Sequence, residues 1–247
     1  MIVTRYSVNG PSMKLAVVAD LHGTPTEALY DALRRERPDA ILIPGDLVSR
    51  RRQDCAAVIA GSVLRQVIPP WEAALRFLRI ASSIAPTFYS RGNHEWGIDD
   101  EYRAQVRATG AVLLENEWIR FGELSIGGLS RVPRDGETLP YEPDGLPELS
   151  WLSERPEGYS LLLCHHPEYY PALKDLGVDL IVSGHAHGGQ WRFFGRGVFA
   201  PGQGLFPTYT RGRYGSMIVS AGLTNTTRIP RFFNPTELVI IELRAES

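Results

Sequence analysis

Cysteine is scarce in this sequence: Cys55 and Cys164 are the only two in 247 residues. Two cysteines do not make a disulfide framework, which points to a reducing compartment or to indifference to redox state. No apolar run is long enough to span a bilayer. The opening stretch MIVTRYSVNGPSMK lacks an apolar core followed by a small-residue cleavage site, so no export signal is read and a cytoplasmic location is expected. Charge of one sign is not in excess either. A formal net charge of −2 gives no global pull toward nucleic acid, and no nucleic-acid partner is expected; a polyanion would need a local basic patch. Internal repeats and low-complexity tracts are also absent.

What is present is an ordinary globular composition, with 43% hydrophobic and 22% charged residues. The length suits a single domain over residues 1–247. Continuous apolar runs predict buried strands at Lys14 to Ala19, Ala40 to Ile43, Thr87 to Ser90, Ala111 to Leu114, Ser160 to Cys164 and Asp179 to Ser183. Helical spacing is found over Thr26 to Arg37 (Ala28, Leu29, Ala32 and Leu33 on one face), Trp71 to Ala81, Asp99 to Ala108 and Glu168 to Leu176. Trp118 to Phe121 and Glu123 to Leu129 suggest a hairpin, and Trp191 to Phe194, Ser216 to Ser220 and Leu238 to Leu243 read as later strands. Alternation early and extra strands late predict an α/β fold of two packed mixed β-sheets flanked by helices.

All six histidines, His22, His94, His165, His166, His185 and His187, fall just beyond a predicted strand. A lone histidine is more often structural than a ligand, but six structural ones would scatter over helices and surface loops as well. Ligands in open α/β sheets bind beyond the carboxyl ends of strands. Five such ends carry Asp20/His22, Asp46, Asn93/His94, His165 and His185/His187. Asp20-Leu21-His22 and His185-Ala186-His187 are i, i+2 pairs, and on an extended segment each pair points one way, toward one centre or two adjacent ones. Carboxylate and imidazole without thiolate suit Mn, Fe, Zn or similar divalent ions. Asp46 follows a glycine where a carboxylate can sit between two cations, and Asn93 offers a neutral amide oxygen. Two divalent ions less Asp20, Asp46 and one hydroxide leave a formal surplus of one positive charge for an anionic substrate. Two metals roughly 3.5–4 Å apart can lower the pKa of a bridging water and clamp an in-line displacement.

The set Asp20-x-His22, Gly45-Asp46, Gly92-Asn93-His94-Glu95, His165 and Gly184-His185-Ala186-His187 resembles the signature of the calcineurin-like metallophosphoesterases. GHAHGGQ (184–190), APGQGLFPTYTRGRYG (200–215) and PRFFNPTELVII (230–241) resemble its YkuE-like branch. The resemblance implies a metallophosphatase-like αββα sandwich and two divalent metal ions (Mn, Fe or Zn). Asp20, His22, Asp46 and His187 would bind the first ion; Asp46, Asn93, His165 and His185 the second. His94 would bind neither and would assist the leaving group. The implied activity is hydrolysis of a phosphodiester, phosphomonoester or pyrophosphate bond by a metal-bound hydroxide, with a diester favoured and a small-molecule or lipid-like ester as substrate. A non-catalytic binding protein on the same fold and a metal-dependent hydrolase of another bond are the alternatives.

Ser49 stands where many relatives carry a second acid, and His166, beside His165, is read as a packing or substrate contact. Cys164 reads as a small core residue, Gly127-Gly128 as close packing or a bulge, Arg131 and Arg134 as solvated loop arginines, with a grip on phosphate as the alternative. The Gly202-Gln203-Gly204 tract is expected to border the cleft. Residues 50 to 80 hold six arginines against Asp54 and Glu72, with Ile59, Val63 and Val67 at helical spacing. The half from 71 to 81 reads as a core-facing helix with a solvated arginine face. The half from 53 to 68, within a basic amphipathic insertion at about 50–70, reads as an apolar face suited to an acyl chain or to peripheral contact with an anionic membrane.

Overall fold

The computed structural model describes residues 1–49, 70–95, 98–130, 148–225 and 230–245. The basic insertion over residues 50–69, with Cys55, and the loop holding Arg131 and Arg134 lie outside the described residues.

Two six-stranded sheets form the body of the fold. The first runs β1 (Ile2–Asn9), β16 (Glu237–Arg244), β2 (Met13–Val17), β3 (Ala40–Ile43), β4 (Thr87–Ser90), β5 (Val112–Leu114). Strands β2 to β5 are mutually parallel, and β16 is antiparallel to β2. The second runs β14 (Gly212–Tyr214), β15 (Met217–Val219), β9 (Leu180–Ser183), β8 (Tyr159–Cys164), β7 (Leu124–Leu129), β6 (Glu117–Phe121). Strands β7, β8, β9 and β15 are parallel, and both edge strands are antiparallel.

Strand side chains alternate between faces, so each central strand feeds two cores. Leu15, Val17 and Leu42 of the first sheet pack with Ile126, Leu161, Leu163 and Val182 of the second in the layer between the sheets. Ala16, Ile41 and Ile43 point the other way, onto α1 (Glu27–Glu36), α2 (Pro70–Ile84) and α3 (Asp100–Ala108). On the outer face of the second sheet, Leu162 and Ile181 pack with Leu152, Leu173 and Ala200. The expected sandwich is thus present. Parallel strands buried on both faces read as continuous apolar runs, which is why they are visible in the sequence.

Helix α1 is capped by Thr26, whose side chain accepts from the backbone N–H of Leu29, and it ends at Arg37 in a left-handed conformation just before Pro38. Its buried face holds Tyr30 with Leu29, Ala32 and Leu33, whereas the expected Ala28 is exposed. Helix α2 buries Ala74, Leu75, Phe77, Leu78 and Ala81 and exposes Arg76 and Arg79, the solvated arginine face foreseen for 71 to 81.

Three differences from the sequence reading have physical causes. Strand β1 is an addition: it pairs only with β16, and its half-exposed edge position leaves no continuous apolar run to detect. The helix expected over Glu168 to Leu176 shrinks to a 3-10 turn at Pro167–Tyr169 and one turn, α4 (Tyr170–Leu173), because Pro171 lacks the N–H a longer helix needs. The strand expected over Trp191 to Phe194 is a two-residue β10 (Arg192–Phe193) turning through Phe194 and Gly195, both at positive φ, into β11 (Arg196–Gly197); a second short hairpin pairs β12 (Phe199–Ala200) with β13 (Gly204–Leu205).

Gly127 and Gly128 on β7 mark close packing. A Cβ on Gly127 would lie 2.6 Å from the Trp118 ring, and one on Gly128 2.5 Å from the Leu114 Cβ and 2.7 Å from its carbonyl oxygen. The second contact is with backbone and cannot yield. Gly128→Ala should therefore lower the unfolding free energy by about 1–3 kcal/mol, the usual cost of overpacking, as read from a urea transition.

Candidate metal centre

The carboxyl ends of β2, β3 and β4 in one sheet and of β8 and β9 in the other open onto one shared edge, and each delivers candidate residues there. After β2 the chain presents Asp20 and His22, after β3 Asp46, after β4 Asn93 and His94, after β8 His165, after β9 His185 and His187. The first two loops continue beside one another: His22 N–H donates to Asp46 O at 3.0 Å and Gly23 N–H to Leu47 O at 2.7 Å.

These loops are not extended. Asp20, His22, Asp46, His185 and His187 all have left-handed backbones, with φ between 45° and 64°. The extended-segment reason for pairing i with i+2 is therefore corrected, although the side chains do converge. Such conformations cost on the order of 1–3 kcal/mol each and persist only where the surroundings impose them. Here glycines let neighbours close in: a Cβ on Gly222 would sit 2.6 Å and one on Gly184 2.9 Å from Asp20 Oδ2, and one on Gly45 2.7 Å from the Gly92 Cα.

The result is a nest of donors on Asp46. Its Oδ2 lies 3.3 Å from His165 Nε2, 3.7 Å from His22 Nε2 and 3.8 Å from His94 Nε2, and its Oδ1 accepts from the backbone N–H of His94 at 2.9 Å. Asn93 Oδ1 is 3.1 Å from His165 Nε2. Asp20, His22 and His187 form one group whose ligand atoms lie within 4.8 Å of one another; Asp46, His165 and His185 form a second, and His22, Asp46 and His94 a third. His185 and His187 thus fall in different groups, while Asp20 and His22 share one.

Asp20 Oδ2, His22 Nε2 and His185 Nε2 are buried without a hydrogen-bond partner. Buried polar atoms are otherwise almost always satisfied. Several orphaned lone pairs gathered at one buried point fit a cation. The ring orientation of His22 agrees: its Nδ1 faces Val48 O at 3.2 Å, and since a carbonyl only accepts, the proton sits there and Nε2 keeps its lone pair.

Burial sets the protonation. It lowers His22 to about 4; burial followed by Arg231 lowers His187 to about 3; burial with His166 and His165 nearby depresses His185 strongly. These three rings are neutral at neutral pH. His165 is the exception, because burial is outweighed by the Asp46 charge and it rises to about 9, while His165 and His94 together hold Asp46 well below the usual range against its own burial. Burial raises Asp20.

Several residues that order the site escaped the sequence reading or received no role in it. Glu95, in the quoted Asn93-His94-Glu95 run, is buried, and its carboxylate accepts from Asp46 N–H at 2.9 Å, Gly92 N–H at 2.6 Å and Val48 N–H at 3.0 Å. Arg91 donates to Glu95 O at 3.0 Å and to Glu115 at 2.7 Å. Arg231, from the PRFFNPTELVII stretch, donates to Ala221 O and Thr224 O and abuts His187 Nδ1 at 3.2 Å. Ser49, noted for a missing charge, accepts from His94 Nδ1 at 2.6 Å through its carbonyl and donates its hydroxyl to His22 O at 2.7 Å. His166 bonds Glu168 Oε1 at 2.9 Å, and with Glu168 and His185 makes a further donor group. Gly202 borders this corner, where a Cβ would collide with Glu168 and lie 3.5 Å from His185 Nε2. Cys164 is buried with its thiol pushed up by burial, as a core residue would be.

The chain belongs to the calcineurin-like phosphoesterase family, whose profile matches residues 13–189. That family comprises metal-dependent hydrolases of phosphoric esters. Among its relatives, the chain is 29% identical to the uncharacterized metallophosphoesterase YkuE of Bacillus subtilis over 249 residues, 94% of this chain and 79% of that one. It is 28% identical to the uncharacterized metallophosphoesterase Cj0846 of Campylobacter jejuni over 92% of this chain, and spans 56% of that relative's length. Phosphodiesterase YaeI of Escherichia coli is 25% identical over 74% of this chain and 64% of its own. Among the described residues no helix is long and apolar enough to cross a membrane.

The protonation pattern makes a prediction for metal-free protein. His22 and His187 have folded values below the unfolded 6.5, so the unfolded state binds protons first and stability falls as pH drops from about 6.5 toward 4. His165, at about 9 when folded, contributes stability that is complete below 6.5 and lost as pH rises through 9. Chelator-treated protein should show its highest melting temperature near pH 6.5, with declines on both sides, in a calorimetric series from pH 4 to 9.5.

Proposed function

We propose that this chain hydrolyses a phosphate ester at two adjacent divalent cations, with diesters or pyrophosphate-linked substrates preferred to monoesters. The observation that carries the reading is the shared position of Asp46, which belongs to two of the donor groups and lies within 4 Å of three imidazoles. Asp20, His22, Asp46 and His187 would hold one ion, and Asp46, Asn93, His165 and His185 the other. Bound there, such ions supply Lewis acidity toward a phosphoryl oxygen and a nucleophile at neutral pH. The name of the Escherichia coli relative, a phosphodiesterase, favours the diester.

The protein's own residues have separate tasks in this reading. Neutral His22, His185 and His187 present lone pairs without first releasing a proton, whereas His165 must give up the proton it shares with Asp46. Glu95 fixes the Asp46 backbone through its N–H, and so positions the carboxylate that would serve both ions. His94 stands at the rim, its side chain 14% exposed against 1–2% for Asp46, His165 and His22. With Nδ1 at 2.6 Å from Ser49 O, the ring turns Nε2 toward the site, 3.8 Å from Asp46 Oδ2. Protonated there, His94 can hand its proton to a leaving alkoxide, a service worth ~10²–10⁴-fold.

Asp46→Asn keeps the oxygen that receives His94 N–H but removes the shared charge. It should reduce turnover of bis(p-nitrophenyl) phosphate by at least about 10³-fold while the circular dichroism spectrum is retained, given that both ions would depend on it. Near-normal turnover, or indifference to chelation, would end the two-ion reading. His165→Ala should be far more damaging than His166→Ala.

For His94→Ala, the expected signature is a slope. Esters with poor leaving groups should slow by ~10²–10⁴-fold, nitrophenyl esters much less, and metal content by elemental analysis should be unchanged. Equal losses across the series, or a lost metal, would assign His94 to another role.

A further inference from the structure

Between Asp179 and Glu237 the chain contains none of its 28 acidic residues and six of its 26 basic ones, all arginine. The same stretch carries the most exposed apolar side chains of the described residues. Phe194, Phe206, Phe233 and Leu205 are 105%, 81%, 72% and 70% exposed, and Phe193 and Phe232 are 44% and 49% exposed. Four of these rings gather on one face: Phe232 and Phe233 meet edge to face at 4.4 Å, Phe193 lies 5.9 Å and 6.2 Å from them, and Phe194 joins Phe193 and Phe233 around a cleft of about 590 Å³. Arg192 and Arg211 also line that cleft, and exposed Arg196 pairs with Phe193 across the β10–β11 hairpin. The acid beside this face, Glu237, is buried and already bonded to Arg211.

We propose that the face formed by Phe193, Phe194, Phe232 and Phe233 with Arg192, Arg196 and Arg211 docks this protein onto the surface of an anionic phospholipid bilayer. The rings enter the headgroup region and the guanidinium groups face lipid phosphates. Two features choose this occupant. The first is charge: a second copy seated on the same face would set arginines against arginines, with no exposed carboxylate among the described residues of that face to pair them, whereas an anionic surface is complementary. The second is shape. Phe194 and Phe233 have left-handed backbones, with φ of 50° each, and are 105% and 72% exposed, so both rings protrude at turns instead of lying in a flat patch. A fluid interface accepts protruding rings wherever they fall, while a folded partner would need a matching pocket for each. Phenylalanine rings beside arginines are also the combination found in segments that lie in the water–lipid boundary.

The face is joined to the metal centre. Asn234, next to Phe233, donates to His187 O at 2.7 Å, Arg231 abuts the His187 ring, and Arg192 donates to Gly188 O at 2.7 Å. Docking therefore brings the bilayer to the side of the site built around His187. The proposal does not depend on which bond the site cleaves. It also differs from a membrane role for residues 53 to 68, which lie outside the described residues, and the test separates the two.

The test is co-sedimentation of the full chain with vesicles of phosphatidylglycerol and phosphatidylcholine in equal parts, against vesicles of phosphatidylcholine alone. Wild type should pellet with the first and not the second, and should be released as salt rises from about 0.1 M to about 1 M, where the screening length falls from ~10 Å to ~3 Å. Phe194→Ser combined with Phe233→Ser should weaken partitioning at least about tenfold, since the buried aromatic area is the main non-electrostatic attraction. Both positions are exposed, so the melting temperature and turnover of a soluble diester should stay at wild-type values. Arg196→Glu should weaken binding without touching any ring. The proposal is overturned if wild type ignores anionic vesicles at low salt, or if the double Phe variant binds as well as wild type. It is equally overturned if binding is lost only on replacing Ile59, Val63 and Val67 with Ser, or if sedimentation velocity shows a dimer that the Phe variant turns into monomer without any vesicle binding.

Discussion

One buried carboxylate holds the metal-centre loops in place. Glu95 receives the backbone N–H groups of Val48, Asp46 and Gly92, and so ties the loop after β3 to the loop after β4. A carboxylate is an acceptor only, with two oxygens that suit several backbone donors at once, and hydrogen bonds to a charged acceptor are stronger than neutral ones. Without it those amides would be buried and unpaired, and Asp46, left-handed at φ 52°, would lose the partner of its own N–H. Arg91 carries the same constraint outward, from the Glu95 carbonyl to Glu115, which Arg103 of α3 also binds. The position of Asp46 is thus inherited from a chain of contacts that ends on the protein surface.

Electrostatic pressure in the centre runs the other way. Four buried imidazoles and two buried carboxylates cannot all be charged in so small a volume. Burial discharges His22, His185 and His187, and one ion pair, Asp46 with His165, survives in the absence of metal. Asp20 keeps one oxygen on the His185 backbone N–H and leaves the other without a protein partner. Such an arrangement sets left-handed backbones and unpaired lone pairs side by side, and a cation would satisfy the lone pairs. The glycines at 92, 184 and 222 matter more than their size suggests: each lets a second loop approach a carboxylate to a distance that a Cβ would forbid, and Gly45 does the same for the Gly92 backbone and the His165 ring.

The stretch from His185 to Asn234 serves two neighbouring regions. Its first residues supply donors to the centre, and its hairpins carry the aromatic and arginine face. Asn234 and Arg231 return from the far end of that stretch to the His187 backbone and ring, so the two regions are mechanically continuous.

Much of this was legible in the residues themselves. Apolar runs doubly buried in parallel sheets announce β2, β3, β4, β8 and β9, and the residue types at their carboxyl ends announce the chemistry, because a strand must be apolar where it is buried and polar where it opens. Helix α2 was readable for the same reason, from its spacing. What the sequence could not contain were the contacts between segments distant in the chain: the bond from His185 to Asp20, 165 residues away, the reach of Glu95 back to Asp46, the half-exposed edge strand β1 and the turn of Ser49 O toward His94. The aromatic face belongs to the same class. Its members were in plain sight as single residues, but only the stacking of two sheets and the short hairpins beyond them set Phe193 beside Phe232 and Phe233. Local periodicity reports what one element buries; which side chains then meet, and in which backbone conformation, is decided by tertiary packing.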